Sequence, residues 1–245
     1  IQDIDIKDVI DRIQAVPESQ IIEAIPQFSE SGSLDGIGIE DFGPAVQIYL
    51  GIQQAIIDFQ LTAVTLRCFD LIAPLQSTGC LALARLNDEG IPAGCEGDIP
   101  ALFTMILNHL IQSRPTFMAN PSGIFQDRIR FAHCTVPLSM TVSHSYKSHF
   151  ESGIGVAVSG GFPSLGMTIS KIGGRKLDRF YVDEADFSGN SSDADLCRTQ
   201  LWLKPRKGVR YFTTSPLGNH HIIGTDQYAD SFRLLMQSLG CREVG

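Results

Sequence analysis

The stretch Arg128-Ile129-Arg130-Phe131-Ala132-His133-Cys134-Thr135-Val136 begins with polar and apolar residues in alternation and becomes largely apolar toward its end. This pattern predicts a short β-strand. It is one of six short strands that we predict after Pro115, with Gly, Pro and polar clusters between them. The others are Gly153–Val158, Met167–Ile172, Asp178–Glu184, Thr199–Lys204 and Val209–Thr213. Because short strands separated by turn residues are typical of all-β architectures, residues 115–245 are predicted to form a mostly antiparallel β domain, either a barrel or a sandwich, of which we expect the barrel. The domain closes with a helix at Ala229–Leu239.

The chain before Pro115 has a different pattern. Apolar residues at helical spacing predict helices, and one run rich in β-branched residues predicts a buried strand. The predicted helices are Ile6–Ala15, Pro44–Phe59, Cys80–Asn87 and Ile99–Gln112, the strand is Leu61–Phe69, and Ser29–Gly43 is a loop. This alternation predicts an α/β layered, Rossmann-like domain over residues 1–114. The fold class is therefore α/β, with a layered domain followed by a β-barrel domain.

Composition excludes several classes of protein. The 245 residues carry a formal net charge of -8 and no basic stripe, so nucleic acid is not an expected partner. No apolar run approaches the roughly 18 residues of a membrane-spanning helix, so no membrane partner is expected either. The six cysteines lack CxxC spacing and several of them lie in apolar surroundings, which predicts buried free thiols in a reducing cytoplasm. We expect a soluble, cytoplasmic protein.

Two carboxylates stand at the start of the predicted helix Ile99–Gln112, in Gly94-Cys95-Glu96-Gly97-Asp98. Asp98 is in the position of a helix cap, a role that needs no further function. Glu96, flanked by glycine just before the cap, is a candidate metal ligand or acid/base group.

Histidines supply the other candidates. His133 lies on an apolar strand, and His220 and His221 are adjacent between glycines in Gly218-Asn219-His220-His221-Ile222-Ile223-Gly224. Adjacent side chains of a strand point to opposite faces, so at most one of this pair would face a given site. One carboxylate and two imidazoles form a plausible set for a divalent metal with open positions for substrate oxygens, and Mn²⁺ fits it.

These segments resemble the L-arabinose isomerase and L-fucose isomerase families. Glu96-Gly97-Asp98 is similar to the family's EGD segment, whose glutamate binds Mn²⁺ and takes part in proton transfer. The strand that carries His133 is similar to one whose histidine is a metal ligand, and Asn219-His220-His221 is similar to the family's GAHH segment. The resemblance extends from Pro44 to Cys241 and favours His221 as the ligand.

One segment departs from the family. Where the family carries a second metal-binding carboxylate, this chain has Phe117-Met118-Ala119-Asn120-Pro121. Asn120 can bind a metal through its neutral oxygen but cannot accept a proton as a carboxylate would. Glu96 could then act alone, Asp127 could replace the missing group, or the chemistry could have changed.

The resemblance implies an aldose–ketose isomerase, an intramolecular oxidoreductase of carbohydrate metabolism, that acts through an ene-diol. Mn²⁺ or another divalent metal would be held by Glu96, His133, His221 and Asn120, and Glu96 would be catalytic. We expect His220, Arg198 and Asn219 to contact the sugar. The alternative is a non-catalytic sugar- or polyol-binding relative that lost the second carboxylate. The resemblance further implies a homo-oligomer, a trimer or hexamer, and an additional N-terminal domain that this sequence mostly lacks.

Overall fold

The computed structural model describes residues 1–245 as a mixed helix and sheet structure. The α-helices are α1 (Ile6–Gln14), α2 (Glu18–Ser29), α3 (Phe42–Asp58), α4 (Ile72–Leu75), α5 (Cys80–Asp88), α6 (Ile99–Gln112), α7 (Arg210–Thr214) and α8 (Ala229–Ser238). The strands are β1 (Ser33–Leu34), β2 (Val64–Thr65), β3 (Ala93–Gly94), β4 (Phe117–Phe125), β5 (Arg128–His133), β6 (Ser143–Lys147), β7 (Ala157–Gly161), β8 (Gly166–Gly173), β9 (Arg179–Ser191), β10 (Thr199–Pro205), β11 (His221–Gly224) and β12 (Arg242–Glu243). None of the helices combines the length and apolar character that crossing a bilayer would require.

The N-terminal helices pack closely against one another. Helix α1 begins after Asp5, whose side chain accepts a hydrogen bond from the Lys7 amide at 2.9 Å. It lies on α3 at Gly51, where an added Cβ would stand 2.5 Å from the Cα of Ile13. The absence of a side chain at Gly51 therefore allows the two helix backbones to approach.

Strands β2 and β3 form a small parallel sheet connected through α5. Val64 pairs with Ala93 and Thr65 with Gly94. The buried Asn87 side chain connects the end of α5 to β3, because its amide donates to the Ala93 carbonyl at 2.8 Å and its oxygen accepts from the Ala93 amide at 3.1 Å. Both strands end at the same edge of this sheet.

The second half of the chain forms a closed barrel of six antiparallel strands. Hydrogen bonds connect the strands in the order β10-β5-β4-β11-β8-β9, and β9 pairs with β10 to complete the ring. Strand β12 adds to β9 in parallel. Closure leaves the six strands without a free edge, which removes a common route to aggregation. The expected antiparallel barrel is thus confirmed.

A separate three-stranded sheet joins the two halves. Its hairpin β6–β7 lies beside the barrel, and β1 from the first half pairs in parallel with β6 through Ser33–Leu34. The largest buried apolar cluster also includes residues of both halves, among them Phe42, Leu83, Phe117 and Ile222. The division at residues 114 and 115 stays a prediction, since one core runs across it.

Several predicted elements are confirmed, and Ile99–Gln112 is a helix with the expected bounds. The predicted strand Val209–Thr213 is wrong, because Arg210–Thr214 forms the short helix α7. Tyr211 and Phe212 pack there with Tyr181 and His221. Their aromatic character, which favours strands, reflects this packing instead.

Other differences concern irregular segments. The predicted strand Leu61–Phe69 is reduced to Val64–Thr65, followed by a 3-10 turn over Cys68–Leu71. Helix α2 was not predicted. The nine-residue strand β4 was not predicted either, because it contains Pro121 and Gly123; the structure accommodates them at an irregularity in the β4–β5 pairing.

Candidate metal centre

Three side chains from distant parts of the chain converge between β3 and the barrel. Glu96, His133 and His220 each offer one potential ligand atom, and these atoms lie within 4.8 Å of one another. Glu96 Oε1 is 3.8 Å from His133 Nε2, and Glu96 Oε2 is 3.5 Å from His220 Nε2. Atoms bound to one first-row metal at about 2.0–2.2 Å lie roughly 3 to 4 Å apart, so small side-chain adjustments would suffice for binding.

Glu96 is held in an unusual backbone conformation. It lies two residues after the end of β3 and has φ = +58°, and the next residue, Gly97, has φ = +67°. The Gly97 amide donates to the Leu66 carbonyl at 3.1 Å, and the Asp98 amide donates to the Cys95 carbonyl at 3.2 Å. A left-handed conformation costs an L-residue roughly 1–2 kcal/mol. Such strain tends to occur at functional sites, where the surrounding structure maintains it.

His220 is oriented by Asp98. The buried imidazole has its Nδ1 2.9 Å from Asp98 Oδ2, so Nδ1–H donates to this carboxylate. Its Nε2 is buried and has no hydrogen-bond partner. Asp98 also caps α6, because its Oδ1 accepts from the Ala101 amide at 2.8 Å. A carboxylate on the far nitrogen and a free near nitrogen are the arrangement of a metal-binding histidine.

His133 has the same arrangement with a different partner. Its Nδ1 lies 3.0 Å from the Thr135 hydroxyl, and its Nε2 is directed toward Glu96. The two imidazoles therefore present Nε2 to the same carboxylate while other side chains engage Nδ1. Two histidines and one carboxylate leave coordination positions open for substrate or water.

The electrostatics of the cluster favour a cation. Close contacts with the His133 and His220 imidazoles hold the pKa of the Glu96 carboxyl far below its usual range. Burial lowers the pKa of His220, but its contacts with Asp98 and Glu96 outweigh burial and raise the pKa overall. Burial raises the pKa of Asp98, whereas His220 and the Lys171 ammonium lower it, to about 2. For Glu96, Asp98 and His220, the net pKa shift therefore favours positive charge beside the carboxylates of Glu96 and Asp98.

His221 lies on the other side of the strand and is not part of the cluster. It is fully buried, and its Nδ1 donates to the Asn219 carbonyl at 3.1 Å. Its Nε2 lies 3.0 Å from the Tyr211 hydroxyl, which donates to it and accepts from the Leu217 amide. Burial lowers the pKa of His221 to about 3, so the ring is neutral at neutral pH. Both nitrogens of His221 are thus hydrogen-bonded, so His221 does not lie where the ligand was predicted, and His220 lies in the cluster instead.

The other predicted residues lie at varying distances from the cluster. Asn120 is on β4, where it pairs with Ala132 of β5, and its Oδ1 is buried without a hydrogen bond. The Arg198 guanidinium donates to the Ser148 carbonyl at 2.8 Å. Asn219 is exposed. Of these three residues, Asn120 is the one with a buried side-chain oxygen that has no hydrogen bond.

Asp127 cannot replace the missing carboxylate. It lies in the two-residue turn between β4 and β5, at the end of these strands that is remote from His133. Its carboxylate forms an exposed ion pair with Lys204 at 2.7 Å. The pairing of β4 with β5 therefore places Asp127 too far from His133 to replace the family's second carboxylate.

The sequence analysis missed the residues that surround Glu96. An open cleft of about 270 Å³ is lined by Arg67, Phe69, Asp70 and Glu96. Three of them follow the end of β2, and Glu96 follows the end of β3. In parallel sheets, ligands bind beyond the carboxyl ends of the strands. Had β2 and β3 been recognised as neighbours, that rule would have placed Arg67 and Asp70 beside Glu96.

Lys171 was missed as well. Its side chain is buried, and its ammonium nitrogen is 3.4 Å from Asp98 Oδ2. Burial lowers the pKa of this ammonium group, while Asp98 raises it in part. A single lysine on β8 carries no sequence pattern that could have indicated this ion pair.

Comparison of the chain with protein-family models and with curated proteins finds no match in either set.

Proposed function

We propose that this protein is a divalent-metal-dependent aldose–ketose isomerase of the L-fucose and L-arabinose isomerase type. The observation that supports the proposal is the convergence of Glu96, His133 and His220 on one point. Each residue comes from one of the three segments on which the resemblance rests. Two imidazoles and a carboxylate suit first-row ions, and the resemblance favours Mn²⁺ among them. His220 takes the ligand position that the resemblance assigned to His221.

The chemistry follows from the groups that line the cleft. A bound divalent metal would polarise a carbonyl and the neighbouring hydroxyl of the sugar. Glu96 is partly exposed to the cleft and would move a proton between the two adjacent carbons of the sugar. Asp98 would maintain the orientation of His220 and would not contact the sugar.

The proton transfer needs a second group, and Asp70 is our candidate. Asp70 is the other carboxylate that lines the cleft, and it forms an ion pair with Arg67 at 2.9 Å. Phe69 is exposed in the same cleft and offers an apolar surface to the carbon atoms of a sugar. Asp70→Asn is expected to lower turnover with little change in metal content. Equal turnover would remove Asp70 from the reaction.

One observation favours a non-catalytic sugar-binding protein as a second candidate. Asn120 occupies the position of the family's second carboxylate, and among acidic groups and histidines only Glu96, His133 and His220 form the cluster. Asn120 Oδ1 can accept a hydrogen bond from a hydroxyl or contact a cation, but it cannot carry a proton. Such a protein would keep metal and sugar binding without turnover.

Elemental analysis of the purified protein is the first test of the metal site. Near-stoichiometric metal is expected in the wild type and should be lost in Glu96→Gln and His220→Gln. Glu23→Gln, which changes an exposed glutamate of α2, and His144→Gln are matched controls that should keep the metal. A wild type that neither contains Mn²⁺ nor takes it up would overturn both candidate functions.

Turnover separates the two candidates. A panel of aldoses and ketoses would be incubated with the Mn²⁺-loaded protein in D₂O, and the products would be examined by NMR. The isomerase should interconvert one aldose–ketose pair and should incorporate deuterium from the solvent at the carbon that receives the proton. Thermal stabilisation by a sugar without interconversion would support the binding protein.

We also propose that residues 1–114 belong to a Rossmann-like layered domain. The supporting observation is the unit β2-α5-β3, in which two parallel strands are joined through a helix and followed by α6. Parallel strands joined by a helical crossover are the repeating unit of such domains.

A further inference from the structure

Two of the six cysteines lie in direct contact beside the metal centre. The Sγ atoms of Cys68 and Cys95 are 3.0 Å apart, and both residues are buried. Cys80, Cys134 and Cys197 lie in a separate cluster, and Cys241 donates a hydrogen bond to the Leu177 carbonyl. Chain positions 68 and 95 are far enough apart that their contact depends on the tertiary structure.

The backbone keeps the two thiols adjacent. Leu66 is central, because its amide donates to the Gly94 carbonyl at 3.1 Å and its carbonyl accepts from the Gly97 amide at 3.1 Å. The segment after β2 and the segment after β3 are thus held together on both sides of the thiol pair.

We propose that Cys68 and Cys95 form a site of reversible oxidative modification, at which a disulfide connects the cleft loop of Arg67, Phe69 and Asp70 to the loop of Glu96. The sulfur atoms would need to approach by about 1 Å to reach a disulfide bond length of about 2.05 Å. The proposal goes beyond the proposed metal chemistry and does not rest on it.

The oxidant is a peroxide, with hydrogen peroxide as the simplest case. One thiol attacks peroxide, its sulfur becomes a sulfenic acid, and the O–O bond breaks with release of one water. The second thiol then attacks the sulfenic sulfur, the S–S bond forms, and the S–O bond breaks with release of a second water. The two thiols together lose two protons and two electrons, and the peroxide receives them as it becomes two molecules of water. A dithiol reductant reverses the change by thiol–disulfide exchange.

The disulfide would restrict both sides of the cleft. Cys95 precedes Glu96 directly, and Cys68 lies between Arg67 and Phe69. A bond between them closes a loop that includes α4 and α5. Such closure reduces the conformational freedom of the unfolded chain and so stabilises the folded one.

The test uses the full wild-type chain, so it does not depend on the folding of any variant. Reduced protein is treated with hydrogen peroxide, its free thiols are alkylated, and its peptides are mapped by mass spectrometry. The expected result is one cross-linked peptide pair joining Cys68 to Cys95, loss of two of the six thiols, and recovery of both with dithiothreitol. The oxidised protein should also unfold at a higher urea concentration than the reduced protein.

Matched variants locate the bond. Cys68→Ala and Cys95→Ala should each abolish the cross-linked pair, whereas Cys241→Ala should keep it. Retention of all six thiols, a cross-link between other cysteines, or an unchanged urea midpoint after oxidation would overturn the proposal.

Discussion

The left-handed backbone of Glu96 leads to a prediction that separates strain from chemistry. Glu96→Gly and Glu96→Ala both remove the carboxylate, and neither new side chain can reach His133 or His220. The two variants therefore differ mainly in how well they tolerate φ = +58°. Glycine adopts this conformation freely, whereas alanine pays the steric cost of an L-residue.

The magnitude follows from two opposing contributions. The left-handed conformation costs alanine roughly 1–2 kcal/mol. Glycine loses more conformational freedom on folding, which offsets about 0.5–1 kcal/mol of this advantage. Glu96→Gly should then be more stable than Glu96→Ala by about 1 kcal/mol, or roughly 2–4 °C in Tm for a chain of this size.

Urea unfolding in the presence of EDTA measures this difference without any contribution from metal. Added Mn²⁺ at one hundred times its Kd should stabilise the wild type by about 2.7 kcal/mol and should stabilise neither variant. If Glu96→Ala were as stable as Glu96→Gly, the strained conformation would not exist in solution. Stabilisation of either variant by Mn²⁺ would contradict the role of Glu96 as a ligand.

Three further predictions concern the surroundings of the site and the helical half. Asp98→Asn should lower Mn²⁺ affinity about 10–100-fold, because His220 loses the carboxylate that orients it; titration calorimetry would show this, and unchanged affinity would contradict the assignment. Because the folded-state pKa of His221 is about 3 and its ordinary value is 6.5, the unfolded chain takes up a proton first as pH falls. The free energy of unfolding should therefore decrease by up to about 1.4 kcal/mol per pH unit between those values, and His221→Phe should flatten this dependence in urea titrations at several pH values. Gly51→Ala should destabilise the fold by roughly 1–3 kcal/mol because the new methyl group would overlap Ile13, and a urea midpoint equal to that of the wild type would show that α1 does not pack there as described.

The sequence predicts an element most reliably when residues within that element determine its structure. Helix α6 was predicted with its observed bounds, since Asp98 and Pro100 mark its start within the sequence. Strand β4 was missed because its Pro121 and Gly123 disfavour a strand locally. The barrel places the irregular pairing at these residues, and the neighbouring strands β5 and β11 supply hydrogen bonds that no local pattern reveals.

In the candidate site, too, local sequence predicts some features and long-range contacts determine the others. Strand alternation indicates that His220 and His221 face opposite sides, but it does not indicate which of them faces Glu96. Hydrogen bonds from other parts of the chain determine the orientation: Tyr211 bonds to His221, and Asp98 bonds to His220. The Lys171 side chain, which donates to Asp98, depends on the same kind of long-range contact.

The wide separation of Glu96, His133 and His220 along the chain affects how the protein would be synthesised and folded. A growing chain cannot form the complete set of three ligands until His220 has left the ribosome, when most of the barrel is already available. Metal binding would then follow folding. The long chain segments that separate the three ligands must first be brought together, which is slow, and only then do Glu96, His133 and His220 form a binding site. Bound metal would act mainly by slowing unfolding, since it stabilises interactions that form late. Metal depletion in a cell would therefore shorten the lifetime of the folded protein while leaving the rate at which it first folds nearly unchanged.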